Sequence, residues 1–361
     1  MDRRTFIQSS TVATAAAVSG TALVANEVPK PAINRLADPL PTALGSHFRT
    51  GYLRDRAERL NLRLGEASDG RLRLAFTNVG GERDGPNHAL GPVEAEAFFT
   101  SEADLVDEMP EFAFFSGLPG GLGLSPEDFL TWLSAGSGQQ FWDILSAAHG
   151  HKSLAVGHSG RRSGWWSDIA LEHVGDLKNR PIITSGVGRA VANELGMLPL
   201  ETLNSTRQPI VEPLMGQTAY VAHSSWGPEY REEHPTRFYF RRGLMHHGVV
   251  FSLRVSRARW EQLSSFDRTL LSVVANEHFT QSVAEHDAHD REVAPHLLAA
   301  RGVRQYNLSS DVARAIADCS ASVIDDIRTR CPDFRPLHDS FMNYRRLVVA
   351  EEVPLSEETT V

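Results

Sequence analysis

The sequence predicts an α/β fold divided into two lobes, and three observations carry that expectation. The chain has 361 residues, 41% hydrophobic and 22% charged, which is ordinary for a globular protein and long enough for two sizeable cores. Segments with helical spacing and segments with strand alternation follow one another from Phe48 onward. Residues 157–196 then join a glycine-flanked aromatic pair, a short apolar run and a second glycine cluster that opens into a helix-like segment.

In chain order, residues 1–25 read as an export signal. Asp2-Arg3-Arg4-Thr5-Phe6-Ile7-Gln8 resembles the twin-arginine signal, and small and apolar residues follow to Val24. Residues 26–47 are rich in proline and alanine and read as a tether. Tyr52, Leu53, Leu60 and Leu64 recur at roughly helical spacing; Ser68-Asp69-Gly70 is a turn, and residues 71–76 alternate like a half-buried strand. Residues 95–111 are less regular. Residues 126–132 and 139–145 read as helices, and Phe112, Phe114, Phe115, Trp132 and Trp142 read as core.

In the central block, residues 181–184 read as a strand. Ser185-Gly186-Val187-Gly188 follows at a helix start, where free N–H groups favour an anion. The third fingerprint position is Val191 and not glycine, which argues against a dinucleotide site. Residues 219–228 read as a strand and loop and 249–255 as a strand, and a long helical region starts near Trp260, punctuated by Pro295 and Gly302. Cys319 and Cys331 would lie about 18 Å apart on one continuous helix, too far for a disulfide unless the helix breaks before Pro332. His278, His286, His289 and His296 read as a polar, exposed helix face, because the spacing fixes no third metal ligand.

The central block resembles the inter-lobe crossing of periplasmic substrate-binding proteins of TRAP transporters, in the branch that binds 2-oxo acids, mannitol-like polyols or chloroaromatic acids. The residues that carry the resemblance are Gly160 to Trp166, then Asp176-Leu177-Lys178 to Gly186, and further on Trp226-Gly227-Pro228 and Phe238-Tyr239-Phe240. It covers about residues 48–346. It implies a two-lobed periplasmic binding protein fold, with a ligand cleft between the lobes and long C-terminal helices. The implied first lobe is 48–156, completed by about 249–280, and the second is 157–248. C-terminal helices then occupy 281–346, before a tail at 347–361.

The ligand chemistry departs from the family pattern. The arginine that clamps a substrate carboxylate falls on Ile183, and a glutamine near the metal site falls on Arg162. The glutamate that helps hold a cation falls on Ser224 or Ser225, whose neutral hydroxyls cannot supply that charge. The expectation is therefore no cofactor, the family's calcium or sodium ion lacking its expected carboxylate. Candidate ligand contacts are Arg162, Trp165, Trp166, Ser224, Trp226, Phe240, Arg242 and His246, with Arg161 and Arg241 as further cations.

The net charge of −9 argues against a general nucleic-acid binder. No G-x-S-x-G elbow, H-E-x-x-H motif or Walker loop is present, so no catalytic residue is assigned and the chain reads as a non-enzyme. The resemblance implies a periplasmic receptor that delivers a small, acid-type solute to TRAP membrane subunits, with a homodimer through the C-terminal helices allowed. The alternatives are a sensor or docking protein that has left transport, and an exported enzyme on the same scaffold.

Overall fold

The structure is a computed structural model. It describes residues 39–44, 51–76, 95–160, 165–167, 169–184, 186–200, 219–221, 238–240, 242–245, 247–301 and 304–351. Residues 1–25, read as an export signal, lie outside them, as do residues 352–361; residues 347–351, read as tail, are helical.

The first lobe is built on strands β1 (Leu40–Leu44), β2 (Leu74–Phe76), β3 (Ala97–Thr100), β4 (His151–His158) and β10 (Val250–Ser256), in the order β2-β1-β3-β10-β4. β1 pairs in parallel with β2 and β3, while β10 runs antiparallel between β3 and β4. Helix α1 (Gly51–Ala67) and the 37-residue helix α7 (Ser265–Arg301) cover one face. Ala57, Leu60 and Leu64 of α1 join Leu271, Val274 and Ala275 of α7 in one apolar cluster with Phe99, Leu154, Val156, Leu253 and Val255 of the strands. The helical spacing of the first set and the strand spacing of the last meet on that face, as the pattern requires. Ion pairs seal its edge: Arg59 Nη1 lies 2.9 Å from Glu285 and Arg63 Nε 2.9 Å from Glu277, and the buried Arg56 also pairs with Glu285.

The other face is polar under cover. Thr100, Ser153, Ser252 and Arg254 are buried there, and Ser146 of α4 (Gly138–Ala148) donates to Ser153 Oγ at 2.9 Å. Beyond them lies an aromatic stack. Phe115 of α2 (Ala113–Ser116) sits with its ring centroid 5.5 Å from Trp132 of α3 (Pro126–Ser134) and 4.9 Å from Trp142. Phe341 of α9 (Arg335–Glu351) meets Trp132 edge-on at 5.0 Å, so the last helix is pinned to the first lobe.

The second lobe is a sheet of β5 (Trp165–Ser167), β6 (Pro181–Ile183), β7 (Leu198–Leu200), β8 (Ala219–Val221), β9 (Phe238–Phe240) and β11 (Arg304–Tyr306), in the order β11-β9-β5-β8-β6-β7. Helix α5 (Val187–Glu194) packs on α8 (Ser310–Arg330), burying Val187, Val191 and Ala192 in one cluster with Ile316, Val323 and Ile324. The short α6 (Arg257–Gln262) follows β10.

Four expectations need correction. Leu40–Leu44, read as tether, is an inner strand of the first sheet; parallel strands buried on both faces do not alternate, and Pro41 disguised it. The C-terminal region contributes a strand, β11, to the second sheet as well as helices. Helix α7 runs through Pro295 without ending. His278 and His286 are buried at 3% and 5% exposure, so they do not lie on an exposed face. Both cysteines are free thiols.

His278 explains its own burial. Its Nδ1–H donates to Val156 O at 2.5 Å, which places the proton of the neutral ring on Nδ1, and among the described residues its buried Nε2 has no partner. Burial, with Arg56 nearby, lowers its pKa from 6.5 to about 4. The folded pKa lies below the unfolded one, so its neutral form contributes full stability above about pH 6.5. That contribution is lost as pH falls towards 4, on the order of 3 kcal/mol in all. A melting series from pH 7.5 to 4 should decline through this window, and His278→Gln should flatten the decline. A slope unchanged in the variant would exclude His278 as its source.

Two glycines offer a matched test of packing. Gly150 and Gly248 both hold positive φ, +76° and +82°. A methyl group at Gly150 would meet nothing within 4 Å, whereas one at Gly248 would lie 2.2 Å from Gly160 O. Gly150→Ala should destabilise by about 1–2 kcal/mol, the backbone term alone. Gly248→Ala should cost clearly more or prevent folding, and equal melting temperatures for the two variants would show that the close approach is not rigid.

Candidate functional site

Three chain crossings connect the sheets: β4 to β5, β9 to β10, and β10 through α6 and α7 to β11. The first two meet at a single place. Ser159 N–H donates to Val249 O at 2.9 Å, and Val249 N–H donates to Ser159 Oγ at 2.8 Å. Gly160 N–H donates back to His158 Nδ1 at 3.1 Å. The approach is so close that glycine is required on both sides: a methyl group at Gly117 (φ +98°) would sit 2.4 Å from Gly248 O. The glycine loop after Leu118 is tied to the same place, where Gly120 N–H donates to Leu244 O at 2.9 Å. From α7, Ser282 Oγ accepts the His158 N–H at 2.9 Å.

The lobes also touch beside this crossing. On the first lobe the wall is a 3-10 turn, Glu102–Leu105, set directly after β3. Ser101 caps it, accepting Ala103 N–H at 3.2 Å and donating to Val250 O at 2.8 Å. Thr100 Oγ1 donates to Asp104 at 2.6 Å. On the second lobe the wall is Gly186 and the first turn of α5. A methyl group at Gly186 (φ +55°) would lie 3.2 Å from Ala103 Cβ. Arg189 Nη1 stands 3.3 Å from Asp107 Oδ2.

Glu102 points inward and is wholly buried, beneath the turn. Burial raises its pKa, opposed mainly by the nearby Arg254 guanidinium. Arg254 is buried as well, its guanidinium 4.9 Å from the Phe98 ring, and burial lowers its pKa. The Ser252 and Ser153 hydroxyls stand beside Glu102, yet neither makes a hydrogen bond of good geometry with it. Among the described residues neither the Glu102 carboxyl nor the Arg254 guanidinium has a hydrogen-bond partner, so the two are buried neighbours held by packing. Nothing in the sequence singled it out: a glutamate after a strand reads as loop, and an arginine within a strand reads as its solvent side.

The expected contact residues are placed unevenly. Trp165 and Phe240 face each other across β5 and β9 and are 0% and 3% exposed, so neither presents surface to a solute in this conformation. Among the described residues the buried Trp165 indole N–H has no acceptor. The Trp166 backbone belongs to β5. Arg242 is exposed, near the second crossing. Arg161, Arg162, Ser224, Ser225, Trp226, Arg241 and His246 lie outside the described residues, as does the side chain of Ile183. Among the described residues no group of three or more His, Cys, Asp or Glu side chains could hold a metal ion. No helix there is long and apolar enough to cross a membrane.

Solved structures share this two-sheet arrangement across most of the chain. A TRAP transporter solute-binding protein of Bordetella bronchiseptica RB50, described as a mixed-occupancy dimer with co-purified calcium and picolinate, matches with a TM-score of 0.76 at 16% identity. The match covers 87% of this chain and 94% of that one. A TRAP periplasmic solute-binding protein of Pseudoalteromonas atlantica T6c, with sodium and pyruvate bound, matches with a TM-score of 0.77 at 16% identity, over 87% and 96% of the two chains. An extracytoplasmic solute receptor of Bordetella pertussis that binds pyroglutamic acid matches with a TM-score of 0.65 at 15% identity, over 86% and 100%.

The chain has the TRAP solute-binding fold. No family model matches its sequence. Within this fold the paired crossings join the two sheets, and the Glu102–Leu105 turn and α5 face each other beside them. The Ser159 hydroxyl closes the crossing pair, so Ser159→Ala should leave the buried Val249 N–H without its acceptor. A loss of about 1–3 kcal/mol in chemical denaturation is expected. A loss within a few tenths of a kcal/mol would mean that the crossings are held together by packing alone.

Proposed function

We propose that the chain is the extracytoplasmic solute receptor of a TRAP-type transporter, capturing a small organic acid by lobe closure and delivering it to the membrane subunits. One observation supports this most: two sheets joined through a paired, glycine-lined crossing, in a fold shared over 87% of the chain with proteins described as holding picolinate or pyruvate. Twin-arginine export through Arg3-Arg4 to the periplasm, and a homodimer through the C-terminal helices, belong to the same reading.

The chemistry of capture must differ from the family pattern. Ile183 offers no charge to a carboxylate. Losing a charge-assisted bidentate contact removes about 1.5–3 kcal/mol, or about ten- to more than a hundredfold in affinity. Acid binding therefore requires another cation, and Arg162, Arg241 and Arg242 are the candidates, with Trp166, Ser224, Trp226 and His246 around the solute. Ser224 and Ser225 replace the carboxylate a calcium site requires, so capture without a bound ion is the expectation.

The test is a thermal-shift panel on the mature protein with 2-oxo acids, aromatic acids, pyroglutamate, polyols and neutral amides, each with and without calcium. Binding to the folded state alone stabilises it by about 2.7 kcal/mol at a hundred times Kd. A saturable shift from one acid class, lost in Arg162→Ala or Arg242→Ala, is the expected result. A response to neutral compounds alone would overturn the organic-acid reading, and silence across the panel would count against a solute receptor.

A further inference from the structure

We propose that Asp107, Ala103, Gly186 and Arg189 form a closure latch, a steric stop beside an ion pair, that sets how far and how firmly the two lobes shut. The proposal rests on the receptor reading, since a latch matters only where closure captures something. Its geometry comes from two elements that share no sheet. The Glu102–Leu105 turn belongs to the first lobe, and Gly186 and α5 belong to the second.

The stop is the contact between Ala103 and Gly186. Both are small, and a methyl group at Gly186 would lie 3.2 Å from Ala103 Cβ, tighter than ordinary van der Waals contact. Neither side can yield easily. Gly186 holds φ +55° at the start of α5. Ala103 sits on a turn capped by Ser101 and held from beneath by the buried Glu102 near Arg254. A larger side chain at either position would act as a wedge, because closely packed contacts deform little.

The ion pair lies just outside the stop. Arg189 stands in the first turn of α5 and reaches Asp107, two residues past the 3-10 turn, at 3.3 Å. Arg189 and Asp107 side chains are 30% and 58% exposed, so the attraction is screened by water and salt. Such a pair is suited to biasing an open–closed equilibrium without locking it. The expected bias is about two- to fivefold in the closed-to-open ratio at low salt.

The test reads lobe separation directly, with no solute needed. Dyes placed at Leu62→Cys on α1 and Leu198→Cys on β7, both exposed, report the distance in a Cys319→Ser, Cys331→Ser background. In 20 mM salt, Asp107→Arg should lower the closed-to-open ratio by about two- to fivefold, with the difference fading in 0.5 M salt. Asp107→Arg combined with Arg189→Asp should restore the ratio. Ala103→Leu should shift the closed state itself to a longer distance. An unchanged ratio in Asp107→Arg, no closed population in the parent, or a shift that the double reversal does not rescue would each overturn the ion pair. An unmoved closed distance in Ala103→Leu would overturn the stop. If the dyes respond while no acid stabilises the protein, the receptor reading fails and the latch stands.

Discussion

The reciprocal bonds between Ser159 and Val249 hold two of the three crossings side by side, and most of the architecture depends on that contact. It can form only because Gly117, Gly160 and Gly248 leave no side chain between the backbones. With the crossings fixed, β4 and β10 enter the first sheet as neighbours, and β5 and β9 enter the second as neighbours. The alignment of both sheets is thus set at one point, where backbone hydrogen bonds and close packing leave little room for adjustment. The walls beside it inherit their positions from the strands that lead there.

The first lobe shows how a charged interior can serve such a wall. Glu102 and Arg254 occupy a face that is sealed by α2, α4 and the aromatic stack, where unpaired charge is expensive. Their opposition of charge is what makes the arrangement tolerable, and Phe98 lends its ring to the guanidinium. Replacing both by apolar residues would leave a quieter core. Keeping them ties the turn that carries Ala103 and Asp107 to the middle of a strand.

Much of the fold was legible in the sequence because its pattern was local. The spacing of Leu60 and Leu64 marks α1, the run after Pro181 marks β6, and the apolar residues from Val250 mark β10. The aromatic residues from Phe112 to Trp142 lie in the core, as their density suggests. What was hidden depends on partners distant in sequence. β1 looks like a tether until β2 and β3 flank it, and β11 is three residues between long helices until it meets β9. His278 and His286 share a polar helix stretch, and only the approach of β4 buries them. The site was less legible still. Register pairs Trp165 with Phe240, but the contacts of Ala103 with Gly186 and of Arg189 with Asp107 come from short loop chemistry without a repeating pattern.

The place of β10 has a consequence for the order in which the molecule assembles. This strand fills the gap between β3 and β4, yet it follows every strand of the second sheet except β11. Ser252 meets Thr100 at a separation of 152 positions. The first lobe therefore stays an incomplete sheet, with two open edges, until most of the chain has left the ribosome. Contacts of such long range slow folding and prolong exposure of unpaired strands. β3 and β4 are thus the strands most open to wrong pairing while β10 is still to come.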